Sequence, residues 1–235
     1  MLTLNPTNYY DTVRNIPHDA SDIADHYNLL GLVEGTRRFL YDQLNAGVEI
    51  RGDRVDVNRC PLFRGKLKVF KSAAAIYYAP SDQSGKGGLH WDIIRCTCSW
   101  RGGLARYDSV FVDNGGAITD PLGGLLIARV LLFFSFRYQG KEYSCAFVEW
   151  FLPAAEEPDE TTGMWIVAPE VDRNGQHVRA VISLDTILRG AHLIGVYGDN
   201  FLPVKFTFGD TLDAFNAYYV NKYIDHHIRR NTRPR

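Results

Sequence analysis

Residues 126–138 read LIARVLLFFSFRY, residues 139–141 read QGK and residues 142–152 read EYSCAFVEWFL. Two long apolar and aromatic runs thus flank a short turn that contains glycine, which is the pattern of a β-hairpin. The inner side chains of both runs are predicted to be core. Arg129 interrupts the most apolar stretch, residues 122–136, which is also too short to cross a bilayer as a helix.

Shorter strands are predicted on both sides of this hairpin. From Val48 onward the pattern has period two, with β-branched and aromatic residues, and glycine and proline mark the turns. The predicted strands comprise residues 66–78, 90–100, 105–112, 163–169, 178–184 and 191–197. This pattern predicts a mainly β fold, a distorted antiparallel β-barrel or sandwich.

Helices are predicted near the two ends of the chain. Ser21 followed by Asp22 can cap a helix, and apolar residues then recur every three or four positions. A short C-terminal helix is predicted from Asp210, with Leu212, Phe215 and either Tyr218 or Tyr219 on one side. The predicted organisation is an extended arm (1–20), a packing helix (21–46), a single β-rich domain (48–228) and a basic tail (229–235).

The overall composition is that of an ordinary globular protein. The chain has 235 residues, of which 46% are hydrophobic and 23% charged, and its formal net charge is −1. This balance excludes a strongly basic protein whose overall charge attracts it to nucleic acid. Any nucleic-acid-binding surface must therefore be a local patch of basic residues. Aromatic residues make up 13% of the chain, which favours β structure.

The cysteines and the N-terminal sequence indicate a soluble, intracellular protein with no membrane association. The four cysteines show no disulfide framework, and the N-terminal residues lack the basic start and apolar run of a signal peptide. On a strand, Cys96 and Cys98 are expected on one face as packed small residues. No second ligand pair for zinc follows them, so we expect neither a metal nor a cofactor.

Six polar residues are the candidates for a polar site: His90, Glu149, His192, Asp225, His226 and His227. Imidazole and carboxylate groups can bind metal or move protons. Adjacent histidines diverge by about 100° on a helix and point to opposite faces of a strand, which argues against a shared ligand. The chain contains no phosphate-loop, dinucleotide-binding, nucleophile-elbow or zinc-helix motif, so no catalytic residue is assigned.

The basic tail has two interpretations. Four arginines fall within its seven residues: Arg229, Arg230, Arg233 and Arg235. Such an arm can neutralise DNA phosphates. Short basic ends also act as solubilising segments, and the sequence leaves both interpretations open.

Several short motifs follow one another in an order that resembles a known family. They are LYDQL (40–44), YAPSD (78–82), RYDSVFV (106–112), ARV (128–130), AFVEWF (146–151), TGMWIV (162–167), ILRGAHLIGVYG (187–198) and YYVNKYIDHH (218–227). Their order is similar to that in the C-terminal region of fungal Plavaka-type transposon proteins, which are related to the CACTA-like DNA transposons. A fold-level analogy extends to bromo-adjacent-homology-like chromatin modules, distorted barrels with a strand similar to Val148-Glu149-Trp150-Phe151.

The resemblance implies a non-catalytic accessory domain, because the RNase H-like core of such transposases is expected upstream and nothing in this chain matches it. The implied function is binding of DNA or chromatin in the nucleus, with a transposase or a host protein as further partners. One alternative is a protein-protein interaction or dimerisation module without DNA affinity. Another is an enzyme in which His90, Glu149 or His192 converge in a pocket.

Overall fold

The computed structural model describes residues 19–78, 89–113, 115–116, 121–197, 205–207 and 210–222. Within these ranges the protein is mainly β, with a nearly closed, barrel-like antiparallel sheet and a smaller second sheet. The predicted fold class is therefore confirmed. The tail and all but the last two residues of the arm lie outside the described residues. None of the described helices is long and apolar enough to cross a membrane.

The predicted hairpin forms the centre of the large sheet. Its strands, β6 (Leu125–Tyr138) and β7 (Lys141–Pro153), pair antiparallel over most of their length. Gln139 and Gly140 between them have positive φ angles of 49° and 81°. Two successive positive φ angles are the geometry of a type I′ turn, whose twist matches that of the flanking strands.

Seven further strands complete the large sheet: β1 (Leu67–Phe70), β5 (Ser109–Asp113), β8 (Ile166–Pro169), β9 (Arg179–Ser183), β10 (Ile187–Ala191), β11 (Leu193–Gly195) and β12 (Tyr218–Val220). The strand order is β10-β5-β6-β7-β8-β12-β11, with β1 also paired to β6 and β9 to β7. β10 and β11 stand at opposite ends of this order, yet only His192 separates them along the chain. This connection brings the two edges of the sheet together.

A second sheet of three strands covers one face of the hairpin. It contains β2 (Ser72–Tyr78), β3 (Leu89–Thr97) and β4 (Arg106–Tyr107). Residues 66–78, predicted as one strand, thus divide at Lys71 between the two sheets. Small and β-branched side chains fill the space between the sheets: Ala73, Ala75, Ile94, Val110, Val112, Ala128, Val130 and Val148.

The N-terminal helical segment packs on the other face of the hairpin. The single helix predicted over residues 21–46 is two helices, α1 (Ala20–Tyr27) and α2 (Leu32–Leu44). Asn28 and Gly31 adopt left-handed φ angles of 53° and 87°, so the first helix ends and the chain changes direction before the second begins. Apolar residues of both helices pack on hairpin side chains: Leu132, Phe134, Phe136, Tyr143, Cys145 and Phe147.

Asp210 has 3-10 conformation, but the short helix predicted from it does not continue: residues 211–213 form turns and residues 218–220 form a strand. The Asp213 amide donates to the Asp210 carbonyl at 3.0 Å, and Tyr218 is buried in β12. Leu212, Phe215 and Tyr218 belong to the cluster inside the barrel-like sheet. Packing against this core, and not helical periodicity, places these side chains.

Asp92 links the small sheet to the edge of the large one. Its carboxylate accepts a hydrogen bond from the Gly190 amide of β10 and lies near Arg189. Burial nevertheless raises the pKa of Asp92 above its usual value. Ionisation of Asp92 therefore costs more free energy in the folded protein than in the unfolded chain.

We expect the Asp92→Asn variant to be more stable than the wild-type protein at neutral pH, because it removes this charge. The folded wild type binds the Asp92 proton more tightly than the unfolded chain does, so protonation stabilises the fold. The advantage of the variant should shrink as the pH falls through the raised pKa of the folded state. Urea unfolding over an acid-to-neutral pH series measures this, with exposed Asp185→Asn as the control. A pH-independent difference would contradict the expectation.

Candidate nucleic-acid interface

Three arginines surround a tryptophan at the tip of the β3–β4 hairpin. The Cζ atoms of Arg95, Arg101 and Arg106 lie 4.5, 5.3 and 5.7 Å from the centroid of the Trp100 ring. These distances are within the range of cation–π interactions, whose attraction offsets part of the repulsion among the cations. We call these four residues the arginine–tryptophan cluster.

A tight turn positions the cluster. The Gly103 amide donates to the Trp100 carbonyl at 2.9 Å, and the Trp100 amide donates to the Leu104 carbonyl at 3.0 Å. Arg95 lies on β3 and Arg106 on β4, one on each side of this turn. The paired strands therefore bring both arginines to the same indole.

Asp108 partly neutralises the cluster. Its Oδ1 atom accepts a hydrogen bond from Nε of Arg106 at 2.7 Å, and its Oδ2 atom accepts one from the Arg95 amide at 2.9 Å. Arg95 also donates from Nη1 to the Ile93 carbonyl at 3.1 Å. Three guanidinium groups against one carboxylate leave the hairpin tip positive, although the whole chain has a net charge of −1.

A basic segment leads into the small sheet beside the cluster. Residues 57–78 contain no acidic residue and five basic ones: Arg59, Arg64, Lys66, Lys68 and Lys71. Ser72, the first residue of β2, pairs with Arg95, and the Lys71 carbonyl accepts a hydrogen bond from the Cys96 amide at 2.8 Å. Lys71, the last basic residue of this segment, thus adjoins the cluster.

A second polar feature lies in the large sheet, and two of its four residues, Ser109 and Glu149, are buried. Ser109, Arg129, Glu149 and Arg179 are successive cross-strand partners on β5, β6, β7 and β9, so their side chains share one face. We call these four residues the buried polar row. It lies between the apolar cluster under the helices and the cluster inside the barrel-like sheet.

Ion pairs hold the charges of the buried polar row. Oε1 of Glu149 accepts hydrogen bonds from Nε and Nη2 of Arg179 at 3.0 and 2.8 Å. Arg129 donates from Nη1 and Nη2 to Asp213 at 2.5 and 3.3 Å. Glu149 is therefore bound to a cation and is not an unpaired base.

Two buried polar atoms of this row have no hydrogen-bond partner among the described residues. They are Oγ of Ser109 and Nε of Arg129. Tyr218 lies near Arg129, and burial raises the pKa of its hydroxyl. Unpaired buried groups cost free energy, so they offset part of what the ion pairs contribute.

The structure does not bring the described candidate residues together. Glu149 is buried in the large sheet, whereas His192 is exposed, with its Nδ1 atom 3.2 Å from Nδ2 of Asn221. His90 lies on β3 of the small sheet. The remaining candidates lie outside the described residues: Asp225, His226, His227, Arg229, Arg230, Arg233 and Arg235.

The cysteines are free thiols, and three of the four are buried. The expectation that Cys96 and Cys98 both pack on one face is wrong for Cys98, which is exposed because β3 ends at Thr97. Burial raises the pKa of the Cys96 thiol. In the part of the chain that the structure describes, no group of three or more His, Cys, Asp and Glu side chains is arranged to hold a metal ion.

The arginine–tryptophan cluster was not among the sequence candidates. Its signal is the stretch RCTCSWRGGLAR (95–106), in which arginines flank a tryptophan and a glycine pair. Arg95 and Arg106 are far apart in this stretch, and only the pairing of β3 with β4 shows that they reach one ring. The residue types of the cluster are therefore visible in one short stretch of sequence, but their contact with one another is not.

Comparison with protein-family models, with curated proteins and with solved structures finds no match to this chain. The function is therefore argued from the chemistry of the described residues. Of the two polar features, the buried polar row already has its two arginines paired with carboxylates, whereas the hairpin tip at residues 101–104 is exposed. The exposed cluster is the better candidate for an interface.

Proposed function

We propose that the chain is a non-catalytic accessory domain of a transposon-derived protein, and that it binds DNA in the nucleus through the arginine–tryptophan cluster. The observation that carries this proposal is the arrangement of three guanidinium groups around one indole at the hairpin tip. Guanidinium groups form strong, paired hydrogen bonds with phosphate oxygens. The motifs similar to Plavaka-type proteins support the transposon origin.

The local charge supports a phosphate-rich partner. The cluster carries an excess of positive charge, and Lys71, the last basic residue of the acid-free segment 57–78, lies beside it. A basic patch on one side of a near-neutral protein is the electrostatic footprint of nucleic-acid binding. DNA is therefore the partner whose charge complements this surface.

The described polar residues favour a binding role over an enzymatic one. His90, Glu149 and His192 lie in different parts of the fold, and Glu149 already accepts two hydrogen bonds from Arg179. General acid-base catalysis needs such groups within hydrogen-bond reach of one reacting atom. The non-catalytic part of the proposal rests on this separation and on the motifs that the sequence lacks.

The proposal predicts that changing Arg95, Arg101 and Arg106 together to glutamine weakens DNA binding about 100-fold at low salt, because three charge-assisted contacts are lost. Loss of three phosphate contacts should also reduce the slope of log K against log salt by about 2.7. Fluorescence anisotropy of the full chain with a labelled duplex of about 20 base pairs, titrated over a salt series, measures both effects.

The matched control replaces three exposed arginines elsewhere, Arg51, Arg54 and Arg173, with glutamine. This control changes the net charge by the same amount. An equal loss of affinity would show that only the net charge of the protein matters, and would contradict the cluster as the DNA-binding site. A chain ending at Asp225 tests the tail, and loss of binding only in that chain would place the DNA contacts there. A protein that dimerises in light scattering but binds no DNA would favour the interaction-module alternative.

A further inference from the structure

We infer that the partner of the arginine–tryptophan cluster is duplex DNA, and that the hairpin tip enters a groove of the duplex. Arg101, at the tip, inserts furthest into this groove. This inference rests on the proposed function. In this arrangement Arg95 and Arg106, on the two strands of the hairpin, contact the phosphates that border the groove. The steps below concern the backbone at the tip, the free donors of the arginines and the surroundings of the indole.

The backbone conformation of Arg101 is unusual for an arginine. Arg101 and Gly102 have φ angles of 52° and 76°, the positive pair of a type I′ turn. The first central position of such a turn suits asparagine, aspartate or glycine, whereas an arginine there is strained. Backbone strain of this kind occurs at ligand-binding sites, and the same strain at Gln139 in the β6–β7 hairpin supplies the control.

The guanidinium of Arg101 is also the least engaged of the three. It contacts the Trp100 ring but forms no hydrogen bond or ion pair with any described residue. Arg95 and Arg106 each give one donor to a protein oxygen, the Ile93 carbonyl and the Asp108 carboxylate. Since a guanidinium has five N–H donors, all three arginines keep donors for a partner, and no described residue accepts a hydrogen bond from the Arg101 side chain.

The surroundings of Trp100 favour a duplex over a single strand. Proteins that bind single strands stack the bases on open aromatic faces. Here three guanidinium groups lie within 5.7 Å of the ring centroid, so the indole holds the arginines together and offers less open surface to a base. A two-stranded β-ribbon fits the major groove of B-DNA, which is about 12 Å wide.

The experiment compares Arg101→Gly with Gln139→Gly, since Gln139 occupies the same position of a type I′ turn in the β6–β7 hairpin, with a φ of 49°. We expect the full wild-type chain to bind a duplex at least about 10-fold more tightly than either single strand of equal length, as measured by anisotropy. Arg101→Gly should weaken duplex binding about 10-fold and reduce the salt slope by about 1.

Thermal unfolding separates a functional from a structural role of Arg101. Because glycine adopts the left-handed conformation without strain, neither Arg101→Gly nor Gln139→Gly should lower Tm. Gln139→Gly should also leave duplex affinity unchanged. Together these results would show that Arg101 serves binding at the expense of backbone strain.

Each other outcome has a distinct meaning. Tighter binding of the single strand would overturn the duplex assignment, and unchanged duplex affinity in Arg101→Gly would overturn the role of Arg101; both would leave the proposed function in place. Binding to neither nucleic acid would overturn the proposed function itself. A fall in Tm for Arg101→Gly but not for Gln139→Gly would show that Arg101 holds the turn, which contradicts its role as a residue kept for binding.

Discussion

Replacing Glu149 with alanine is expected to lower the free energy of unfolding by about 3 kcal/mol, the cost of breaking a buried ion pair on one side. Glu149 is 8% exposed and is the carboxylate of the buried polar row. Its cross-strand neighbours are Arg129 on one side and Arg179 on the other. Without Glu149, these two cations face each other across β7, and Arg179 loses both of its hydrogen bonds to the carboxylate.

Urea unfolding of the variant measures this loss, and Glu142→Ala on the same strand is the matched control. The ion pair of Glu142 with Arg137 spans 3.7 Å between side chains that are 47% and 77% exposed. Such a surface pair contributes less than about 1 kcal/mol, so the control should be only slightly destabilised. Equal losses in the two variants would contradict the importance of the row.

A double variant tests whether the pair acts as a unit. If Glu149 and Arg179 stabilise the fold through each other, changing both to alanine should cost less than the sum of the single changes. Strict additivity would mean that the two side chains act independently. It would then be wrong to describe them as an ion pair that contributes to stability.

Replacing Phe147 with alanine is expected to lower the free energy of unfolding by about 4 kcal/mol, because it leaves a cavity in the core. Phe147, on β7 of the hairpin, is fully buried beneath α2. The helix approaches closely at Gly35, where a Cβ atom would lie 3.7 Å from the Phe147 ring and 3.2 Å from Cγ2 of Val181. Removing the ring therefore leaves a cavity between the helix and the sheet.

Leu152→Ala is the control for Phe147, since Leu152 lies on the same strand and is 44% exposed. Its replacement should cost less than about 1 kcal/mol in the same urea unfolding measurement. Limited trypsin digestion adds a local readout, because Arg37 and Arg38 of α2 should be cleaved faster once the helix is loosened. Unchanged cleavage and a loss no larger than that of Leu152→Ala would contradict the packing argument.

The elements that the sequence predicted well have signals confined to short stretches. The β6–β7 hairpin follows from two apolar runs and a Gln139-Gly140 turn, all contiguous in the chain. The helix over 21–46 was predicted as one element because its apolar spacing continues across Gly31. A periodic pattern does not show that the backbone reverses into a left-handed conformation at a residue within it.

The candidate sites likewise divide into residues that the sequence singled out and contacts that only the structure shows. Arg129, which interrupts the most apolar stretch, and Glu149, which was a candidate, proved to be neighbours in the buried polar row. Only the pairing of β7 with β9 in the structure shows that Glu149 is a partner of Arg179. The arginine–tryptophan cluster likewise required the pairing of β3 with β4.

The amino-acid pattern alone was sufficient for the mainly β class, the central hairpin and its apolar core, because burial imposes a period of two on each strand. The tertiary structure decided where residues 66–78 cross between sheets, how β10 and β11 close the large sheet, and which charged side chains meet. The reason is that the period-two pattern shows only which side chains of a single strand face the core and which face solvent. The choice of its neighbours depends on packing between residues distant in the chain.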